Sequence, residues 1–173
     1  MIITRQWAMP NKNTFSIKPI KQLISKYINN GKWLDSCCNK SIFKQYCITN
    51  DLNPDIQADY HLDSLDFFKM FDDNSVDGVL YDPPFSNRQL SECYKNIGLK
   101  TNKQLMQSSF HSIRKNEISR IIKPNGLCLS CGWNSNGIGI KRNFEIIEIL
   151  LVAHGGSHND TICVVETKII NKL

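Results

Sequence analysis

The chain has 173 residues, 41% of them hydrophobic, and a formal charge of +5. This size fits one domain, residues 1–173, with a central sheet and helices on both faces, and no run of about 18 apolar residues is present to span a membrane. Seven cysteines without disulfide-rich spacing, and an N-terminus Met1-Ile-Ile-Thr-Arg5-Gln-Trp7 without the apolar core of a signal peptide, lead to the expectation of free thiols in an intracellular protein.

Residues 1–18 read as polar and irregular. Ile20, Leu23, Ile24, Tyr27 and Ile28 then form the apolar stripe of a helix, opened by Pro19 and stopped by Asn29-Asn30-Gly31. A strand is predicted over 32–35, a polar turn over 36–40, a brief helix near 42–46 and a second strand over 47–51. A third strand is expected over 58–62, followed by a helix that Ser64 caps and that runs to Phe71. The apolar run 76–81 reads as a buried fourth strand. Two helices follow, 89–97 and a longer one near 107–122, then a turn Lys123-Pro-Asn-Gly126. The fifth strand is 127–131, and two long β runs, 143–153 and 160–170, close the chain. Strands alternating with helices predict an α/β fold with a mostly parallel sheet; the last two strands have a short connection and should pair antiparallel.

The strongest signal is Asp82-Pro83-Pro84-Phe85 at the end of the fourth predicted strand. Two prolines donate no N–H and fix φ, so the strand stops there. An acid, a stiff turn and an aromatic ring can together hold an exocyclic amino group while the ring stacks on the base that carries it. In an open α/β sheet, ligands bind beyond the carboxyl ends of the strands. Asp35 ends the first predicted strand, Asp51 the second, Asp63 follows the third and Asp82 ends the fourth. An acid at the second position can accept ribose hydroxyls, and an Asp63-Ser64-Leu65 turn can accept an adenine amino group. Helix capping explains any one of these acids, but not four in register.

Other features are less specific. The basic residues, among them Lys18, Lys26, Lys100, Lys103, Arg120, Lys141 and Arg142, are spread as on a solvated surface. Cys128 and Cys131 form a CxxC, but on a strand positions i and i+3 face opposite sides. The spacing of His154, His158 and Asp160 admits a metal, and a polar hairpin turn accounts for it as well; no metal is expected. Gln89 reads either as a contact to a base edge or as an early helix residue, and Trp133 as a pocket wall or a half-buried strand-end ring.

At this point the chain resembles the class I S-adenosylmethionine-dependent methyltransferases of the amino-group type with an Asp-Pro-Pro-aromatic motif. Among them it is similar to the short adenine N6-methyltransferase-like proteins common in phage genomes. Asn13-Thr-Phe15, Trp33-Leu-Asp35, Asn50-Asp51-Leu52, His61-Leu-Asp63-Ser-Leu65, Tyr81-Asp-Pro-Pro-Phe-Ser-Asn-Arg-Gln89, Gly132-Trp-Asn-Ser-Asn-Gly137 and the segment 154–161 carry the resemblance. It implies a Rossmann-like sheet of seven strands with an antiparallel C-terminal hairpin, and S-adenosyl-L-methionine as cofactor. Phe15, Asp35, Ser36, Cys37, Asp51, Leu52, Asp63, Ser64, Leu65 and Asp82 are the implied cofactor residues. Asp82, Pro83, Pro84 and Phe85 are the implied catalytic turn. Ser86, Arg88, Gln89, Trp133, Asn134, His154 and His158 are the implied substrate contacts. The implied partner is nucleic acid, DNA ahead of RNA, in the cytoplasm of a bacterial or phage-infected cell, with a homodimer or a second subunit supplying target recognition. Two departures stand out. Ser36-Cys37-Cys38-Asn39 replaces the Phe and Gly of larger relatives, and no insert is long enough to form a target-recognition domain. The alternatives are a catalytically degenerate homologue that binds nucleic acid or a partner, and methylation of cytosine N4 or another amino group.

Overall fold

The computed structural model describes residues 1–99 and 109–170. They form one seven-stranded sheet in the order β1-β6-β7-β5-β4-β2-β3, with β7 antiparallel to both of its neighbours and every other pair parallel. The strands are β1 (Ile2–Trp7), β2 (Trp33–Asp35), β3 (Cys47–Thr49), β4 (Val76–Tyr81), β5 (Ile122–Gly132), β6 (Phe144–Ala153) and β7 (Thr161–Lys168). The helices are α1 (Lys18–Tyr27), α2 (Ser64–Lys69), α3 (Asn87–Asn96) and α4 (Ser109–Ile121). No helix among the described residues is long and apolar enough to cross a membrane.

The mostly parallel sheet and its antiparallel C-terminal hairpin agree with the sequence, but two of its members differ. Residues 2–7 form a strand where irregular chain was expected. All six are exposed, so no inside–outside alternation marks them; parallel pairing with β6 holds them. Residues 58–62 do not form a strand. Only Tyr60 bridges, to Asn50, because side chains take the backbone groups that a ladder would use. Asp59 accepts the Thr49 amide at 2.8 Å and its hydroxyl at 2.7 Å, and the Asn50 amide group bonds both Leu62 N and Leu62 O.

α1 lays Pro19, Ile20, Leu23 and Ile24 into the core, as the stripe predicted. They pack with Trp33, Leu80, Leu150, Val152 and Val165 on one face of the sheet. On the other face α2 and α4 cover Leu34, Val79, Tyr81 and Cys128 with Phe67, Phe68, Ile118 and Ile121. Cys128 thus belongs to one core and Cys131 to the other, against Cys163 on β7. Gly78 is required where β4 crosses Trp33, since a Cβ there would lie 2.4 Å from the indole ring. The turn expected at 123–126 survives as an excursion inside β5: the register with β4 jumps from Val76–Ile122 to Gly78–Leu127, with Asn125 left-handed at φ 64°. The brief helix near 42–46 is a 3-10 turn over Lys44–Tyr46. The start expected for α4 at Gln107, like Lys100 and Lys103, lies outside the described residues.

Candidate active site

The order of the sheet reverses at β2, which has β3 on one side and β4 on the other. This is the switch point where an α/β sheet opens a crevice at its carboxyl edge. Asp35 and Asp82 stand there, at the ends of β2 and β4. Asp35 is completely buried, and neither of its carboxylate oxygens has a hydrogen-bond partner. Burial pushes its carboxyl up to about 7; Asp82 and Asp51 add in the same direction, while the nearby Ser41 hydroxyl and Cys37 amide offset only part. Burial also raises Asp82, to about 6, against the Thr14 hydroxyl. A cavity of about 20 Å³ lies beside Asp82, walled by Asn13, Thr14, Phe15, Cys37, Cys38 and Ser41, with Asp35 buried outside its wall. Burial raises the thiols of Cys37 and Cys38, the latter to about 12, so neither is a thiolate at neutral pH. Ser36 is buried, and its carbonyl accepts a bond from Asn50 Nδ2 at 3.1 Å.

The two acids beyond β3 have different freedom. Asp51 accepts the Asn39 amide at 2.8 Å and the Asn53 amide at 2.9 Å, one on each oxygen, which leaves each a further lone pair. Leu52 packs instead against Leu90, Tyr94 and Phe110. Asp63 has no such reserve. It caps α2 by accepting the Leu65 amide at 2.8 Å, so the expected cap at Ser64 falls one residue earlier. Its two oxygens also accept Arg114 Nη2 at 2.6 and 2.9 Å, and the Tyr94 hydroxyl at 2.7 Å. These four bonds fill its acceptor positions, and an adenine amino group finds none left there. Ser64 Oγ accepts Arg114 Nε at 2.7 Å, a further structural role.

The Asp82–Phe85 turn is held from α3. Ser86 caps that helix, accepting the Gln89 amide at 3.2 Å, and Gln89 Oε1 reaches back to the Phe85 amide at 2.7 Å. This is close to a capping box, displaced by one residue onto Phe85. Phe85 meets Trp133 edge to face, with centroids 5.9 Å apart at 69°. The two rings border a cleft of about 260 Å³ on the α4 side, with Tyr81, Pro83, Ser130, Asn134, His111 and Lys115 on its walls. Asp82 and Pro83 thus sit between a small cavity on one side and an open cleft on the other.

The remaining sequence candidates lie elsewhere. Arg88 is exposed and pairs with Glu92 one turn along α3. His154 is buried, with Nδ1 bonded to the Ala8 carbonyl at 2.7 Å and Nε2 to Thr161 Oγ1 at 2.8 Å. A carbonyl only accepts, so Nδ1 carries the proton. The residue ties the end of β1 to β7 and does not line the cleft. Asp160 accepts the His154 amide, and His158 is exposed. No group of three or more potential metal ligands occurs among the described residues.

No protein-family model matches the chain, and no curated protein matches it in sequence. Solved structures do. The N-methyltransferase NodS from Bradyrhizobium japonicum superposes with a TM-score of 0.61 at 10% identity, over 93% of this chain and 100% of its own. A SAM-dependent methyltransferase from Archaeoglobus fulgidus gives 0.59 at 10%, over 87% and 92%. A third is the 1,6-didemethyltoxoflavin-N1-methyltransferase from Burkholderia thailandensis, solved with its substrate and S-adenosylhomocysteine, at 0.57 and 9%, over 87% and 76%. The chain has the methyltransferase fold.

On that methyltransferase fold, several residues of the site escaped the sequence reading. Asn50 clamps the loop after β2 to residue 62. Glu166, fully buried on β7, accepts the amides of Ile138 at 2.5 Å and Gly139 at 2.9 Å and so fixes the Trp133 loop. The sequence signal for Glu166 was a lone acid inside the run Cys163-Val-Val-Glu-Thr. His111 and Lys115 carried a weaker one, an i, i+4 spacing on a helix.

Proposed function

We propose that the chain is an S-adenosylmethionine-dependent methyltransferase acting on an exocyclic amino group of a nucleic-acid base, adenine N6 first. The observation that carries this reading is Asp35. A buried carboxylate without a partner, at the switch point and beside the Asp82 turn, calls for a cationic ligand. The donor set therefore fits a cofactor bearing an ammonium and a sulfonium. Asp35, the Cys37–Asn39 backbone and Phe15 would hold it, with Asp51 on its ribose. The cavity of about 20 Å³ is too small for such a molecule, so its entry requires the Lys12–Phe15 segment to move. Bound there, the cofactor supplies an electrophilic methyl group.

The other groups act on the acceptor. The Asp82 carboxylate and the Pro83 carbonyl accept the two N–H bonds of the amino group, which turns its lone pair out of conjugation with the ring. Phe85 would stack on the base with Trp133 against its edge, and stacking of this kind is worth roughly 1–3 kcal/mol. The nitrogen that gains a methyl group would give up a proton, and the Asp82 carboxylate is placed to take it. No thiolate takes part, consistent with the raised cysteine thiols. A base inside a duplex would have to be flipped out. DNA is the proposed partner ahead of RNA, with a second subunit supplying target recognition.

The small cavity favours a second reading, a degenerate homologue that has lost the cofactor. Calorimetry with S-adenosylmethionine separates the two. Micromolar binding that Asp35→Asn weakens supports the enzyme; no binding by the intact chain supports the scaffold. Mass spectrometry of nucleosides from cells expressing the chain or Asp82→Ala then identifies the methylated base.

A further inference from the structure

The cleft beside Phe85 holds a cation, Lys115, that forms no ion pair among the described residues. His111 and Lys115 are one turn apart on α4, on the same face, and both line the cleft. The neighbouring cations are all engaged. Arg114 is bonded to Asp63, Ser64 and the Phe110 carbonyl. Arg142 is bonded to Asn116, Ser112 and the Ile138 carbonyl. The carboxylate whose charge reaches Lys115 is Glu166, and it is turned to the amides of Ile138 and Gly139. Among the described residues Lys115 has neither a hydrogen bond nor an ion pair. Among the described residues His111 meets the Tyr81 hydroxyl, at a long 3.4 Å, and the Phe110 ring edge to face. Burial lowers both groups, Lys115 against the pull of Glu166 and His111 with Lys115 and Arg114 adding to the effect.

A half-buried ammonium without a partner is costly, and a ligand that brings an anion removes the cost. The same cleft presents Phe85 and Trp133 to a flat ring. A nucleotide offers both a ring and an anion. We propose that Lys115 and His111 form a phosphate seat in the acceptor cleft, and that the methyl acceptor is a phosphate-bearing nucleotide, free or in a strand, in preference to a nucleoside. This rests on the reading of the cleft as the acceptor site. It differs from the exposed Arg88 and Lys141, which do not line the cleft, in placing the phosphate contact inside the site.

The test is calorimetry on the full chain with adenosine, adenosine 5′-monophosphate and a single-stranded deoxyadenosine trinucleotide. The intact chain should bind the monophosphate at least about tenfold more tightly than adenosine, as one charge-assisted contact implies. Lys115→Gln should reduce that ratio to about threefold or less, Lys115→Arg should keep most of it, and His111→Asn should fall between. Tighter binding of the trinucleotide would assign the phosphate to a strand, and equal binding to a mononucleotide; either result retains the seat. Equal affinity for adenosine and its monophosphate, an unchanged ratio in a folded Lys115→Gln, or no binding of any probe would overturn it. S-adenosylmethionine affinity in the same proteins reads the earlier proposal separately. Phosphate-selective binding through Lys115 without cofactor binding would keep the seat and remove the methyltransferase.

Discussion

Gln89 Oε1 accepts the backbone N–H of Phe85 at 2.7 Å, so the end of the Asp82–Phe85 turn is tied to the first turn of the helix that follows it. Ser86, on the same turn, returns a bond to the Gln89 amide. A side chain that the sequence offered as a base contact therefore acts on the motif itself, and the placement of Phe85 against Trp133 depends on it.

The first prediction concerns that bond. Gln89→Ala should lower methyl transfer about tenfold, the worth of one hydrogen bond of about 1–1.5 kcal/mol, while S-adenosylmethionine affinity stays within about twofold. Gln89→Glu keeps the acceptor and should restore most of the rate. A Gln89→Ala enzyme with full turnover would show that Phe85 is positioned by other means.

The second concerns pH. The Asp35 carboxyl is raised from 3.8 to about 7, so the folded protein holds that proton more tightly than the unfolded chain. Its contribution to stability is complete below the ordinary value and is lost as pH rises through about 7. A cationic ligand reverses the preference by favouring the carboxylate. S-adenosylmethionine binding should therefore strengthen between about pH 6 and 8 and release a proton near neutrality. Calorimetry in two buffers of different ionisation enthalpy measures the proton. Asp35→Asn should abolish the release; a wild-type chain that binds with no proton exchange would remove Asp35 from the cofactor site.

A third prediction tests the Asp63 assignment. Arg114 is buried and holds Asp63 through both of its oxygens. Arg114→Ala should destabilise the fold by about 3–5 kcal/mol, since it leaves a carboxylate and Ser64 without their partner. Urea unfolding followed by circular dichroism gives the number. A loss under about 1 kcal/mol would mean that the pair is solvated and that Asp63 is free to meet a ligand.

The fourth addresses the wall of the cleft. Gly137 sits at φ +50°, and a Cβ there would lie 2.2 Å from Glu166 Oε2. Gly137→Ala should cost about 1–3 kcal/mol and weaken acceptor binding through the Trp133 loop, with cofactor affinity preserved. Tryptophan fluorescence and unfolding in the same sample report both. An alanine variant with the wild-type midpoint would show that Glu166 yields without consequence.

The sequence made the interior legible where burial imposes a pattern. The Ile20–Ile28 stripe placed α1, and the run before Asp82 placed β4 and the edge of the site. Burial imposes nothing on β1, so Ile2–Trp7 carried no readable period. Residues 58–62 had the composition of a strand, yet Asn50 and Asp59 take the bonds that pairing needed. The site divides in the same way. The position of Asp82 and Phe85 followed from the chain order of strand and turn. The partners of Asp63 did not, because Arg114 lies 51 residues away, and nothing local distinguishes a capping acid from a ligand-binding one. His111 and Lys115 gain their meaning only once α4 is known to turn that face to Phe85.

The place of β7 has a consequence for the order of assembly. It is the final strand, yet it lies between β5 and β6, and β1 reaches the rest of the sheet only through β6. Ile2 pairs with Glu148 on β6, and β6 joins the rest of the sheet through β7. That strand also carries Glu166, which fixes the loop of Trp133. The half of the sheet that bears Asp35 and Asp82 is built from earlier residues, whereas the Trp133 wall draws on the last strand. Contacts this distant in the chain slow folding, and Trp33, packed with Leu150, Val152 and Val165, should reach its native burial together with the Trp133 loop during refolding.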